Sequence, residues 1–124
     1  MATDFWPAGL GEGMVTPVSI LREQAALLGP KTNQLVKAEV VSQAGGESGG
    51  LLHLFLIVVP TLDNYKYELF KAYHTVMLYP VSIIYTNTSI NLANETLFRQ
   101  RLGIILGSDS TKQLINALLA QVAR

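Results

Sequence analysis

The two histidines are the side chains of this chain best suited to chemistry at neutral pH. His53 lies in an apolar segment of strand type, and Glu39 belongs to the strand predicted before it, so an imidazole could meet a carboxylate there. Counting outwards from a turn centred near residue 62 places position 53 opposite about position 71, and a pairing with His74 then requires a slip in register. We predict His53, Glu39 and His74 as candidate ligand-binding residues, although a core histidine with satisfied hydrogen bonds is the commoner arrangement.

Two glycine-containing segments resemble catalytic motifs but lack the structural context that those motifs need. Residues 46–50 spell Gly-x-Ser-x-Gly around Ser48, yet a nucleophile elbow requires a helix after the serine, and a strand follows here. Residues 103–112 lack the Gly-Lys-Ser/Thr step of a phosphate-binding loop, and a helix rather than a strand is predicted before them. We therefore predict a hairpin loop at the first segment, a turn between helices at the second, and no catalytic residue at either.

Charge and composition exclude several classes of function. Lysine plus arginine and aspartate plus glutamate number nine each, so no excess of basic groups is available to neutralise phosphates, and we predict no nucleic-acid partner. The chain has no cysteine, which excludes thiol chemistry and disulfides. Neither a basic amphipathic segment nor an apolar run of ~20 residues occurs, which predicts no membrane partner. The N-terminus lacks the features of a signal peptide, so we predict a cytoplasmic protein without cofactor or metal.

The low charge content predicts an interface. Apolar residues make up 49% of the chain and charged residues only 15%, against an average of about 25%. Apolar surface must then stay exposed or be covered by another subunit. Tyrosine suits interfaces because it joins an apolar body to a polar tip, and the chain has five. The residues predicted to lie at an interface are Phe55, Ile57, Tyr65, Tyr67 and Tyr73, the three tyrosines sharing one strand face.

The elements that position these residues are predicted in the order α-β-β-β-β-α-α. Thr16 caps a first helix that ends at Gly29-Pro30. Residues 87–91 are predicted to be irregular, and Ser110 with Gln113 forms a capping box that begins the last helix. The remaining predicted elements are strands over 35–43, 51–59 and 76–85 and a helix over 92–106. Residues 65–74 fit either a strand, which their tyrosine density favours, or a helix, because Tyr65, Leu69 and Ala72 recur at helical spacing.

This order predicts an α+β fold, a four-stranded, mostly antiparallel sheet packed with three helices. Residues 1–15 are predicted to be an N-terminal arm or loop and residues 16–124 a single domain. The strand over 51–59 is apolar on both faces. Because one helix about 10 Å across cannot cover a sheet 15–20 Å wide, we expect part of the sheet to stay bare unless a second subunit covers it.

No motif identifies an activity from the sequence alone. The features favour a small non-catalytic intracellular interaction protein that acts as a homodimer or larger homo-oligomer, or that binds another protein. The alternative is a small enzyme or an apolar-ligand-binding protein with a pocket near His53. A flat apolar sheet face would favour the first hypothesis, and a deep pocket where a histidine and a carboxylate converge would favour the second.

Overall fold

Three helices and five strands make up the described part of the chain, which in the computed structural model comprises residues 3–11, 13–45 and 49–122. The elements are α1 Pro17–Lys31, β1 Lys37–Gly45, β2 Gly50–Val59, β3 Tyr65–His74, β4 Val81–Tyr85, β5 Thr88–Leu92, α2 Glu95–Leu106 and α3 Asp109–Val122. The α+β class, the antiparallel sheet and the three helices are confirmed, but the sheet has five strands rather than four. In the described residues no helix has both the length and the apolarity to cross a membrane.

The additional strand arises from a tight hairpin that the sequence analysis missed. Residues 87–91 were expected to be irregular, yet Tyr85 pairs with Thr88 and β5 follows at once. The two turn residues, Thr86 and Asn87, have φ angles of 48° and 64°, the left-handed values that a two-residue hairpin turn requires. Helix α2 therefore starts later than expected, where the Asn94 side chain accepts a hydrogen bond from the Leu97 backbone N–H at 3.0 Å.

The start of α3 also differs from the predicted capping box. The Thr111 N–H donates to the Ser108 hydroxyl oxygen at 3.2 Å, and the Lys112 N–H donates to the Ser108 carbonyl at 3.0 Å. Ser108 therefore caps this helix, and Ser110 lies exposed in its first turn. By contrast, the cap of α1 is confirmed, since the Ser19 N–H donates to Thr16 Oγ1 at 3.1 Å, although the helix continues through Pro30 to Lys31.

The sheet is a meander in which each strand pairs antiparallel with the next, in the order β1-β2-β3-β4-β5. Strand β4 begins at Val81, immediately after Pro80, because proline cannot donate to a ladder. The hairpin loop between β1 and β2, including Ser48, lies outside the described residues. Its two strands nevertheless pair in continuous register from Gly45 with Gly50 to Lys37 with Val58.

One face of the sheet carries the core. Residues that pair across adjacent strands point to the same side of the sheet. Val40, Phe55, Phe70 and Ile83 therefore lie on one face of it. The main core cluster joins this face to side chains of all three helices, including Leu21, Phe98 and Leu118. It contains no side chain from the other face of β2 in the described part of the chain. The helices therefore form one layer on one side of the sheet.

Candidate functional site

A β-bulge in β3 brings the two histidines together. Leu56 pairs with Glu68, but Phe55 pairs with Phe70, so Leu69 is an extra residue in β3. Beyond this point His53 pairs with Ala72, two residues before His74 on the same face. Without the extra residue, position 53 would face position 71 and His74 would point to the opposite side. This is the slip in register that a histidine pair required.

The histidine pair is buried and fully hydrogen-bonded. The two Nε2 atoms of His53 and His74 lie 2.8 Å apart, and each residue is 2% exposed. The rings stack with their centroids 4.9 Å apart and their planes 29° from parallel. The Nδ1 atom of His53 lies 2.7 Å from Ser42 Oγ, and the Nδ1 atom of His74 lies 2.7 Å from the Thr75 carbonyl oxygen.

The carbonyl at the end of this chain determines where the protons lie when both rings are neutral. A carbonyl oxygen only accepts, so His74 Nδ1–H donates to Thr75 and leaves His74 Nε2 as an acceptor. His53 must then donate from Nε2 to His74, which leaves its Nδ1 to accept from the Ser42 hydroxyl. These tautomers are inferred from the hydrogen-bond network. The four residues form one hydrogen-bonded chain with a single direction.

Burial disfavours the charged form of His53. Burial first, and then the positive charges of a protonated His74 and of Arg22, together lower the pKa of His53 to about 4. The Ser42 hydroxyl is hydrogen-bonded to His53, and His53 is hydrogen-bonded to His74. A catalytic nucleophile, its base and the group that orients the base follow one another in the same order. A base with so low a pKa is weak, however, and Ser42, His53 and His74 line none of the principal cavities of the described chain. The arrangement is that of a satisfied polar pair in the core.

Glu39 does not join the histidines. It pairs with Leu56, on the face opposite to His53, and its Oε1 atom lies 2.8 Å from Lys66 Nζ. Ser42 takes the position beside His53 because the two residues are directly paired across β1 and β2. The sequence analysis missed Ser42, although a hairpin placed symmetrically about the glycines 45–50 aligns positions 42 and 53.

The residues predicted for an interface separate onto different surfaces. Phe55 and Ile57 are buried beneath the helices, so the even-numbered residues of β2 face the other side. Tyr65 and Tyr67 pair with Val59 and Ile57 on the helix side but lie exposed. Tyr73 pairs with Leu52 on the opposite side. The expectation that the three tyrosines share a face is wrong, because the bulge at Leu69 reverses the alternation between them.

The side of the sheet away from the helices carries an apolar row. We call this surface the open face and define it by six side chains, those of Val41, Leu52, Leu54, Leu56, Val58 and Ile84. Its three leucines are half-buried. Val41, on the neighbouring strand β1, is 38% exposed, and Ile84, on β4 beyond Lys71 of β3, is 39% exposed. None of the six belongs to the main core cluster. The bare sheet surface expected from the sequence is therefore present.

Charged residues of both signs border the open face. The ion pair between Glu39 and Lys66 crosses over β2, since these residues pair with Leu56 and Val58 respectively. Val58, which pairs with Lys37 and Lys66 on its two sides, is 8% exposed. A second ion pair joins Lys71 Nζ to Glu68 at 3.8 Å. Lys71 is directly paired with Leu54, so this second ion pair borders the middle of the row.

The residues described supply no group of three or more histidine, aspartate or glutamate side chains that could hold a metal ion. No protein-family model, no curated protein and no solved structure matches this chain.

Proposed function

We propose that the protein is a non-catalytic interaction protein that forms a homodimer through its open face. The observation that carries the proposal is the one-sided placement of the helices: α1, α2 and α3 pack on the same side of the sheet. The opposite side presents the leucine row of β2 without any covering element of the described chain. Apolar side chains arranged in a contiguous patch on a sheet are typical of association surfaces.

The dimensions of the sheet suit a dimer interface. Strand β2 has ten residues and so extends about 33 Å, and five strands span about 20 Å. A rectangle of roughly 600 Å² is close to the ~800 Å² that each partner contributes to a standard interface. Two such sheets can pack face to face with their side chains interdigitating.

A second copy is the partner that the charges favour. The open face is bordered by the lysines Lys37, Lys66 and Lys71 and by the glutamates Glu39 and Glu68. A partner of uniform charge would meet like charges on this border, whereas a copy related by a two-fold axis can place lysines against glutamates. A two-fold axis perpendicular to β2, between the two sheets, also lays the leucine row antiparallel against the same row.

The alternative, a small enzyme acting at His53, has less support. Glu39, the carboxylate predicted beside His53, lies on the other side of the sheet and does not reach the imidazole. The histidine pair is buried and lies outside the principal cavities of the described residues. A flat apolar sheet face is the feature that favours the interaction hypothesis.

The Leu54→Glu variant tests the proposal. Sedimentation equilibrium at micromolar concentration should give the wild-type chain twice its monomer mass of 13.5 kDa. Leu54→Glu should sediment as a monomer, because pairing would bury an uncompensated carboxylate at the centre of the interface.

The matched control is Ile104→Glu, which changes a 58% exposed apolar residue of α2 on the helix side and should leave the dimer intact. A wild-type chain that sediments cleanly as a monomer at these concentrations would overturn the proposal. Dissociation by Ile104→Glu instead of Leu54→Glu would move the interface to the helix layer.

A further inference from the structure

An apolar cavity opens between the helix layer and the sheet, on the side opposite to the open face. Its floor is formed by core side chains of the sheet, and Leu28, Leu106 and Ile115 from the three helices form its walls. The floor residues are Ala38, Phe55, Ile57 and Leu69. Its volume is about 170 Å³. A cavity of this kind can bind an apolar group between the helices and the sheet without moving either.

A wider groove at the surface adjoins the cavity. This groove, about 420 Å³ in volume, shares Leu28, Lys31, Leu106 and Ile115 with the inner cavity. It extends between the end of α1 and the first turns of α3, where Leu119 adds a further apolar wall. Small-molecule sites in proteins commonly occupy 300–1,000 Å³, and the outer groove falls within that range. Because four residues line both spaces, the apolar inner cavity and the open outer groove lie side by side.

Two lysines lie at the outer end of this site. Lys31 belongs to the last turn of α1 and Lys112 to the first turn of α3, and both line the groove. Neither forms an ion pair with the described residues, in contrast to Lys66 and Lys71 on the open face. Among the described residues, no aspartate or glutamate lines the inner cavity or the groove. In a chain with equal numbers of acidic and basic residues, this site is locally cationic.

We propose that this site binds an anion with a long apolar body, the class represented by medium-chain alkyl carboxylates. The alkyl chain fills the inner cavity against Phe55, Leu106 and Ile115, and the carboxylate lies between Lys31 and Lys112. Burial of the chain supplies affinity, and the lysines select an anionic head group over a neutral one. The site lies on the helix side, so it can be occupied whether or not the open face forms a dimer.

Isothermal titration with decanoate below its micellar concentration tests the proposal, with decanol as the uncharged counterpart. Decanoate should bind with one site per chain and more tightly than decanol. Octanoate should bind about fifteenfold more weakly than decanoate, because two fewer methylenes are buried. The double variant Lys31→Gln/Lys112→Gln should weaken decanoate binding about tenfold and leave decanol binding unchanged.

Two further variants locate the site. Ile115→Trp fills the inner cavity and should abolish the binding of both ligands, provided that its circular dichroism matches the wild type. Lys37→Gln removes a lysine from the border of the open face and should change neither affinity. Absence of decanoate binding to the wild type overturns the proposal, as does equal affinity for decanoate and decanol. Loss of decanoate binding in Lys37→Gln or Leu54→Glu, with Lys31→Gln/Lys112→Gln unaffected, assigns the ligand to the open face and also overturns it.

Discussion

The direction of the hydrogen-bonded chain from Ser42 to Thr75 is set by the Thr75 carbonyl oxygen, which can only accept a hydrogen bond. Because the Thr75 carbonyl requires a donor, the tautomers of His74 and His53 follow in sequence, and the Ser42 hydroxyl completes the series. Such a chain satisfies every ring nitrogen of a buried pair, which would otherwise lose the hydrogen bonds that water provides. It also makes the pair sensitive to protonation, since a second proton on either ring removes an acceptor.

This sensitivity predicts a loss of stability in acid. The pKa of His53 is about 4 in the folded chain and 6.5 in its ordinary environment, so between these values the unfolded chain binds a proton that the folded chain does not. The stabilisation that neutral His53 contributes to the folded chain is therefore fully present above about pH 6.5 and is lost as the pH falls towards 4. In this range the free energy of unfolding changes by at most about 1.4 kcal/mol per pH unit because of His53. Urea denaturation at several pH values in this window measures it.

The variant His53→Gln separates this effect from other acid effects. The glutamine can still donate to His74 but cannot take up a proton, so its free energy of unfolding should fall less steeply between pH 6.5 and 4. Carboxylates elsewhere act equally in both proteins and cancel in the comparison. Identical slopes for the wild type and the variant would show that His53 carries no such linkage.

At the scale of the element, single residues decide which side chains meet. The cap of α1 was predictable because its signal, Thr16 followed by Pro17, is local. For β3, tyrosine density favoured a strand but helical spacing of apolar residues left a helix open, and the structure shows the strand. The bulge at Leu69 was not predicted, because alternation from Tyr65 to Leu69 continues to look regular until two adjacent apolar residues interrupt it. Leu69 and Phe70 are adjacent in β3 and both buried, and this break in the alternation of buried and exposed residues marks the bulge.

The placement of the helices could not be predicted from the chain. The apolar stripes of α1, α2 and α3 establish that each helix has a buried side, but not which face of the sheet receives it. The sequence therefore indicated excess apolar surface without indicating that Leu54 and Leu56, rather than Phe55 and Ile57, would supply it. The site between Lys31 and Lys112 was missed for the same reason, since these residues come together only when α1 and α3 share a layer.

The cap of α3 gives a prediction at this scale. Ser108→Ala should lower the free energy of unfolding by ~1 kcal/mol, because it removes the hydroxyl that accepts from the Thr111 N–H. Ser110→Ala is the matched control, since its side chain is exposed within the first turn and alanine favours helix there. Chemical denaturation of the two variants beside the wild type decides the matter. If Ser110→Ala were instead the less stable variant, Ser110 rather than Ser108 would be the cap of α3, as the sequence analysis predicted.

At the scale of the whole molecule, the N-terminal arm competes with the open face as the source of self-association. The arm carries large apolar side chains that the body does not cover: Phe5 is 90% exposed and Trp6 is 77% exposed. The hydrogen bond from the Trp6 N–H to Asp4 Oδ1, at 3.0 Å, is internal to the arm. Neither residue belongs to the main core cluster or to the cavities described above. An exposed apolar segment of this kind can itself hold two copies together.

Removal of residues 1–13, so that the chain starts at Met14, distinguishes the two surfaces. The truncated chain keeps Thr16, the cap of α1, and every residue of the open face, so its denaturation midpoint should equal that of the full chain and it should sediment at twice its own monomer mass. Leu54→Glu in the truncated background should still give a monomer. A truncated chain that is already monomeric, while the full-length Leu54→Glu variant remains a dimer, would assign self-association to the arm and leave the open face without a partner.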